Sequence, residues 1–398
     1  MASEDTHDGL AHGTPATVSA ASPVSWMDRL LALRDRTVAK RSFQRAVASN
    51  PFTRFIARRK SRDLFDLVAG FVYSQVLLAC VQLKLFDLLI ESPLTLEQIA
   101  ARAGLPLDGA RRLVDAAVAL RLFERRSGGR IGLGELGAPM VGNEAVGTMV
   151  EHHVALYADL SDPVRLFRGE RVDGDLARYW PYAAANPGQP AALDAERVAA
   201  YSALMSASQP LVTDEIFSVY DLGQHRRLLD VGGGEGRFVR AVAARYPELD
   251  LTLFDLPAVA ARARVQNELH GLGGRITTCG GSFLDDELPR GADIATLVRV
   301  IFDHPDERAM HILRAVHRAL PAGGTLLLAE PLSGTPGAER MGDAYFGVYL
   351  LAMGRGRART FDAMARLLTQ AGFTGVRKLH TDMPLHTAVI VATVHDKT

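Results

Sequence analysis

A chain of 398 residues exceeds one ordinary core and fits two domains plus an arm. Its 45 basic and 45 acidic side chains balance, which excludes a global field favouring nucleic acid or an acidic substrate. The two cysteines, Cys80 and Cys279, lie far apart without CxxC or Cys/His spacing; a disulfide framework and a metal site are not expected, and a reducing cytosol is.

Residues 1–27 lack a basic segment followed by an apolar one, so they read as a disordered tail rather than a secretory signal. Residues 28–62 form a basic amphipathic arm, with eleven Arg and Lys against Asp28 and Asp35. Leu30, Leu31, Leu33, Phe43, Val47, Phe52, Phe55 and Ile56 are interleaved with that charge, a pattern suited to an anionic membrane surface. The alternative is a solvated helix resting on its own protein. The most apolar stretch, Leu64 to Ile90, is interrupted by Asp66, Gln75, Gln82, Lys84 and Asp87, which favours a buried helix over a spanning one.

Within residues 63–140, Thr95-Leu-Glu-Gln opens a capped helix, Asp108 to Leu122 gives a second, and Phe123 to Leu133 reads as a Gly-Gly hairpin. Together they predict a winged helix-turn-helix. Its second helix carries Ala110, Leu113, Val114, Ala117, Val118 and Leu120, which leaves few side chains to read base edges. Dimerisation, not nucleic acid, is therefore the expected use, and a DNA-binding regulator with a sensor domain is the rival class. Residues 141–222 read as a helical linker lining a substrate pocket. From 223 to 398, short β-rich runs alternate with amphipathic helices: Arg227–Val231, Leu251–Phe254, Ile276–Cys279, Ile294–Val298, Thr325–Ala329 and Ala388–Val394. That alternation predicts an α/β, doubly wound, Rossmann-like domain behind the helical N-terminal one.

The strongest chemical signal is Leu228-Leu-Asp-Val-Gly-Gly-Gly-Glu-Gly-Arg-Phe, a strand ending in an acid and a glycine turn. Gly232, Gly234 and Gly236 let backbone approach a ligand where a Cβ would block it. Nineteen residues after Gly236, Asp255 ends the next strand, placed to accept two ribose hydroxyls. NAD fits that offset too. Asp230 before the turn suits a cationic amino acid moiety, however, and the turn lacks the ending that seats a pyrophosphate, which favours S-adenosyl-L-methionine.

Leu228–Phe238, Phe254-Asp-Leu-Pro, Gly280-Gly-Ser-Phe, Asp303-His-Pro-Asp-Glu, Ala319-Leu-Pro-Ala-Gly-Gly and Ala329-Glu-Pro resemble the S-adenosylmethionine-dependent small-molecule O-methyltransferases, the caffeate and polyketide class, over most of the chain after Leu64. Arg58 to Cys80, with its basic arm, most resembles the demethylspheroidene (hydroxyneurosporene) branch of bacterial carotenoid synthesis. The resemblance implies that Gly232, Gly234, Asp255 and the adjoining Leu256 hold the cofactor. It puts Ser282 where many relatives have an adenine-binding Asp, Phe283 beside the ring, and Arg299 near the usual basic position.

Methyl transfer from a sulfonium is an in-line displacement, so alignment and exclusion of water come first and a general base second. Phenol-methylating relatives use the His of a His-Asp-Trp run; here Phe302 stands at the base position and His304 at the Trp. Of the two supporting acids, one is retained as Glu330 and the other is replaced by Ala358. Three readings stay open: His304 or Asp303 is the base, His152 or His153 supplies it, or alignment suffices with late proton loss to water. A substrate wall is expected from His152, His153, Tyr201, Met205, Tyr345, Tyr349 and Met353. The sequence thus points to a cytoplasmic homodimer, peripheral on the inner membrane, that methylates a hydroxyl of an apolar acyclic carotenoid. Methylation of an aromatic polyketide or a tetrapyrrole is the rival within the class.

Overall fold

The computed structural model describes residues 25–170, 174–179, 195–383 and 387–395, with backbone alone at 178–179, 195–204 and 206–207. Contacts divide the chain into two units, one up to Gln75 and one from Val76 onward. In the first, α1 (Trp26–Val38) is opened by a Ser25/Asp28 capping box and followed by α2 (Arg41–Ser49), and neither has a buried residue. Of the tail expected at 1–27, residues 1–24 lie outside the described residues, while Trp26 and Met27 already belong to α1. Helix α3 (Arg54–Gln82) runs through the division between units. It is long and apolar enough to cross a bilayer, at mean hydropathy 1.9 over its most apolar window. Its Leu78 and Cys80 are buried in the core of the second unit.

That unit begins with α4 (Leu85–Glu91), α5 (Leu96–Ala103) and α6 (Leu107–Ala119), then a hairpin of β1 (Phe123–Arg125) and β2 (Ile131–Leu133). Thr95 and Gln98 form the capping box that starts α5, and Gly104 at φ 65° ends it. Leu85, Phe86, Ile99, Val114, Phe123 and Ile131 close a small core between these helices and the hairpin. Four helices follow: α7 (Glu144–Asp159), α8 (Pro163–Phe167), α9 (Asp175–Tyr179) and α10 (Ala195–Val219).

The rest is the expected α/β sheet flanked by helices, mixed rather than wholly parallel because its last two strands form an antiparallel edge. In chain order its elements are β3 (Arg227–Val231), α11 (Arg237–Arg245), β4 (Asp250–Asp255), α12 (Pro257–Leu269), β5 (Ile276–Gly280), β6 (Ile294–Val298), α13 (Asp306–Ala319), β7 (Thr325–Glu330), a π-helix at Arg340–Phe346 running into α14 (Gly347–Ala352), α15 (Phe361–Gln370), β8 (Phe373–Lys378) and β9 (Ala388–Val394). The strand order is β5-β4-β3-β6-β7-β9-β8, parallel as far as β7, with β9 antiparallel to both its neighbours. Strand β8 was not expected. Successive side chains of β3 enter opposite cores, Leu229 and Val231 on one face and Leu228 on the other, as pleating requires. Strand order reverses at β3, between β4 and β6, so the crevice beyond the strands' C-terminal ends opens there.

Candidate active site

Every strong sequence signal arrives at that crevice. At the end of β3, Gly232, Gly234 and Gly236 adopt φ of 71°, 58° and 80°, the left-handed region that glycine enters without strain. A Cβ on Gly232 would lie 2.8 Å from Val300 Cγ2, whereas one on Gly234 would meet nothing within 4 Å and would project into the space a ligand needs. The turn is tied to β4: the Gly232 N–H donates to Phe254 O at 2.8 Å, the Gly234 N–H to Asp255 Oδ2 at 2.8 Å, and the Leu256 N–H to Asp255 Oδ1 at 2.7 Å. Asp255 thus braces the glycine turn while its carboxylate, partly exposed, keeps lone pairs for another donor. Asp230 is buried beneath; its Oδ1 accepts from Thr296 Oγ1 at 2.7 Å, and its Oδ2 has no partner among the described residues. Bare backbone, an acceptor pair and an unsatisfied buried carboxyl oxygen fit a cationic nucleoside such as S-adenosylmethionine.

Burial raises Asp230 to about 7, the Thr296 bond opposing and Asp255 adding to the shift. Burial likewise raises Asp255 to about 6 against the pull of its two amides. Folding therefore favours the protonated carboxyls, and the free protein loses this stability as pH rises from the ordinary carboxylate range through 6 to 7. A cationic ligand reverses the preference. Its binding should release protons and tighten as pH rises from 6 to 7.5, seen calorimetrically as a buffer-dependent heat at pH 6.5. Equal heats in phosphate and in a buffer of high ionisation enthalpy would rule the linkage out.

Beyond β6 the backbone turns sharply at Arg299, whose φ is 56°. Its guanidinium donates to Ser208 Oγ at 2.7 Å, Met205 O at 2.8 Å and Gln209 Oε1 at 2.8 Å. The planar fork thus fastens α10 to the strand tip beside the expected cofactor crevice. Glu330, at the end of β7, accepts the amides of Val300 at 3.0 Å, Ile301 at 2.7 Å and Phe302 at 3.4 Å, so it holds this loop.

His304 lies on the same loop. Burial, then Arg308, Arg359 and Arg355, push its imidazole down to about 3, and its ring sits edge-on to Phe283 at 5.6 Å. Asp303 is raised well above the usual carboxylate range by burial and by Glu330, with Arg299 opposing, and its Oδ1 has no hydrogen-bond partner among the described residues. Ser282 spends its hydroxyl on its own turn, donating to Asp285 Oδ2 at 2.9 Å and accepting from the Leu284 N–H at 3.2 Å. Sequence reasoning missed Arg359, buried at 3% exposure, which donates to Ile301 O, His304 O and Asp306 Oδ1 and clamps the same loop. One arginine among three in Gly354–Thr360 gave no signal of this.

The substrate wall is partly assembled. Phe302 packs in one apolar cluster with Leu156, Leu166, Tyr349, Leu350 and Met353, against Met205, Tyr345 and Phe346. Phe302 meets Phe346 edge-on at 6.1 Å, and Phe346 meets Tyr345 at 5.0 Å. Met353 and Tyr349 are buried in the cluster, and the side chain of Tyr201 lies outside the described residues. The surprise is a pair of matched bonds from α7: His152 Nε2 to Tyr349 OH and His153 Nε2 to Tyr345 OH, both 2.7 Å. Burial lowers both imidazoles, His152 to about 4.

Comparison with known proteins agrees with this geometry. The O-methyltransferase domain matches residues 157–374, and the O-methyltransferase dimerisation domain matches residues 65–149. The demethylspheroidene O-methyltransferase of Cereibacter sphaeroides is 44% identical over 342 residues, covering 86% of this chain and 89% of its own. That of Rhodobacter capsulatus is 42% identical over 342 residues, covering 86% and 84%. Human N-acetylserotonin methyltransferase, solved in complex with SAM, shares the fold at a TM-score of 0.70 and 24% identity, over 84% of this chain and 98% of that one.

Proposed function

Since the chain belongs to the O-methyltransferase family, we propose that it methylates the tertiary hydroxyl of an acyclic carotenoid of the demethylspheroidene or hydroxyneurosporene type. S-adenosylmethionine supplies an electrophilic methyl group; the chain's own residues position it and the acceptor. Gly232, Gly234 and Gly236 bring bare backbone to the cofactor, Asp255 and Leu256 hold the ribose side, Asp230 the amino acid end, and Phe283 the adenine. The observation that carries the substrate reading is Phe302: an apolar ring, continuous with a wall of aromatic and Met side chains, stands where a phenol-methylating site needs a base. A tertiary alcohol is far less acidic than a phenol, so ionising it beforehand is costly and alignment in a dry pocket dominates.

An apolar substrate of this kind dissolves in membrane, and the first unit is built to meet one. Trp26, Leu30, Leu33, Phe52 and Phe55 are more than half exposed beside the eleven cations of the arm. Phe65, Leu67, Val68 and Phe71 on α3 are equally bare and begin the dimerisation domain, so a second copy covers them. The enzyme is thus a cytoplasmic homodimer, peripheral on anionic lipid, with no nucleic acid partner. With labelled cofactor, label is expected on hydroxylated carotenoid presented in anionic vesicles, and more slowly in zwitterionic ones. Label on a phenol or a bacteriochlorophyllide instead would overturn the substrate, and equal rates in both vesicles would overturn the docking.

A further inference from the structure

Glu330 spends its oxygens on three backbone amides and His304 lies edge-on to Phe283, while the loss of the acceptor's proton must accompany ether formation. We propose that Tyr345 and His153 relay it: the Tyr345 oxygen receives the substrate O–H proton while the Tyr345 hydroxyl passes its own to His153 Nε2. The proposal rests on the reading of this site as one that methylates an alcohol.

Three observations place the relay. Tyr345 OH and His153 Nε2 are 2.7 Å apart, the separation of a strong hydrogen bond, and with the imidazole in its Nδ1–H form the phenol is the donor. The phenolic oxygen then keeps a lone pair for an incoming hydroxyl. Tyr345 and His153 are both half-buried, whereas Tyr349 of the neighbouring pair is 5% exposed and packed in the cluster. Finally, Tyr345 lies on the π-helix Arg340–Phe346, a winding that recurs at functional sites because it re-aims side chains out of helical register. This π-helix is pressed onto the chain beyond Glu330, where a Cβ on Gly342 would lie 2.3 Å from Leu332 O. Through Phe346 the same turn abuts Phe302, at the position of the missing base.

The step balances. As the alcohol oxygen forms its bond to the methyl carbon, the carbon–sulfur bond breaks and leaves its electron pair on sulfur. The alcohol proton goes to Tyr345, the Tyr345 proton to His153, and the imidazolium returns it to solvent. Tyr345 is the catalytic residue here, and His153 acts through it. His152, beside His153 and bonded to Tyr349, holds the parallel helix contact.

Y345F should lower kcat on the order of a hundredfold, the usual contribution of a positioned proton acceptor, with KM and calorimetric cofactor affinity near those of the unaltered enzyme. The solvent deuterium isotope effect on the single-turnover rate should disappear. H153Q offers an acceptor to the Tyr345 hydroxyl but no basic nitrogen, so it should stay as slow as Y345F. Unchanged kcat in Y345F, or full turnover in H153Q, overturns the relay. Cofactor affinity and melting temperature in both variants separate a folding defect from a chemical one; should either fall, Y345W and H153N serve the same comparison. If the unaltered enzyme labels a different acceptor, the variants are measured on that acceptor, and the relay is judged apart from the carotenoid assignment.

Discussion

D255A is expected to weaken cofactor binding about a thousandfold, with a melting temperature lowered by the loss of the acceptor for the Gly234 and Leu256 amides. Asp255 does two jobs from one strand end. Its oxygens accept the amides of Gly234 and Leu256, fixing the glycine turn, and their remaining lone pairs face the crevice. Hydrogen bonds to a charged acceptor contribute about 1.5–3 kcal/mol each, so losing two to a ribose diol removes roughly 4 kcal/mol, which is the thousandfold figure. D255N keeps one acceptor oxygen and turns an amide toward a backbone N–H, so it should recover only part of the loss. Calorimetric titration with the demethylated cofactor product, which cannot react, reads binding without turnover. An affinity for D255A within threefold of the unaltered protein would remove the sugar from this strand end and with it the placement of the whole pocket.

The parts legible beforehand are those in which local backbone chemistry dictates residue type. A turn with φ near 70° admits Gly232 at no cost, and a parallel strand buried on both faces reads as Leu228-Leu-Asp-Val, so β3, its turn and Asp255 stood out. Partners set by tertiary contact did not. Asp230 meets Thr296 from a strand 66 positions on, and the guanidinium of Arg299 reaches back to Met205 and Ser208, about ninety positions earlier. The likeness to a family gave Arg299 and Glu330 their expected roles, but not that Arg299 fastens α10 or that Glu330 holds the loop from Val300 to Phe302. Strand β8 escaped notice because it is an edge: its burial is confined mainly to Phe373, Gly375 breaks its alternation, and its register shifts between Thr374 and Arg377. The π-winding that aims Tyr345 at His153 has no sequence period of its own, so the two were named separately and never as a pair.

The loop from Val300 to Asp306 carries the aromatic ring at the base position, and its shape depends on one carboxylate. Glu330 is fully buried and spends both oxygens on the amides of Val300, Ile301 and Phe302. E330A would leave these donors without an acceptor in a space too dry to replace it; at about 1–3 kcal/mol per orphaned group, partly relieved by loop movement, the expected loss of stability is about 3–5 kcal/mol. Arg359 grips the same loop from its carbonyl side, so collapse should be local at first, with Phe302 displaced and turnover lost before the domain unfolds. E330Q keeps one oxygen for Val300 and Ile301 but turns its amide toward Phe302, and should cost less. The sign of its pH dependence is fixed by burial, which raises Glu330 to about 7 against the three amides. A carboxyl raised on folding stabilises most below its unfolded value and loses that contribution as pH rises through 7. The stability gap between the unaltered protein and E330Q should therefore narrow from pH 5 to pH 8 in urea unfolding. A gap that widens over that range would mean the buried group is ionised throughout and that the amides, not burial, control it.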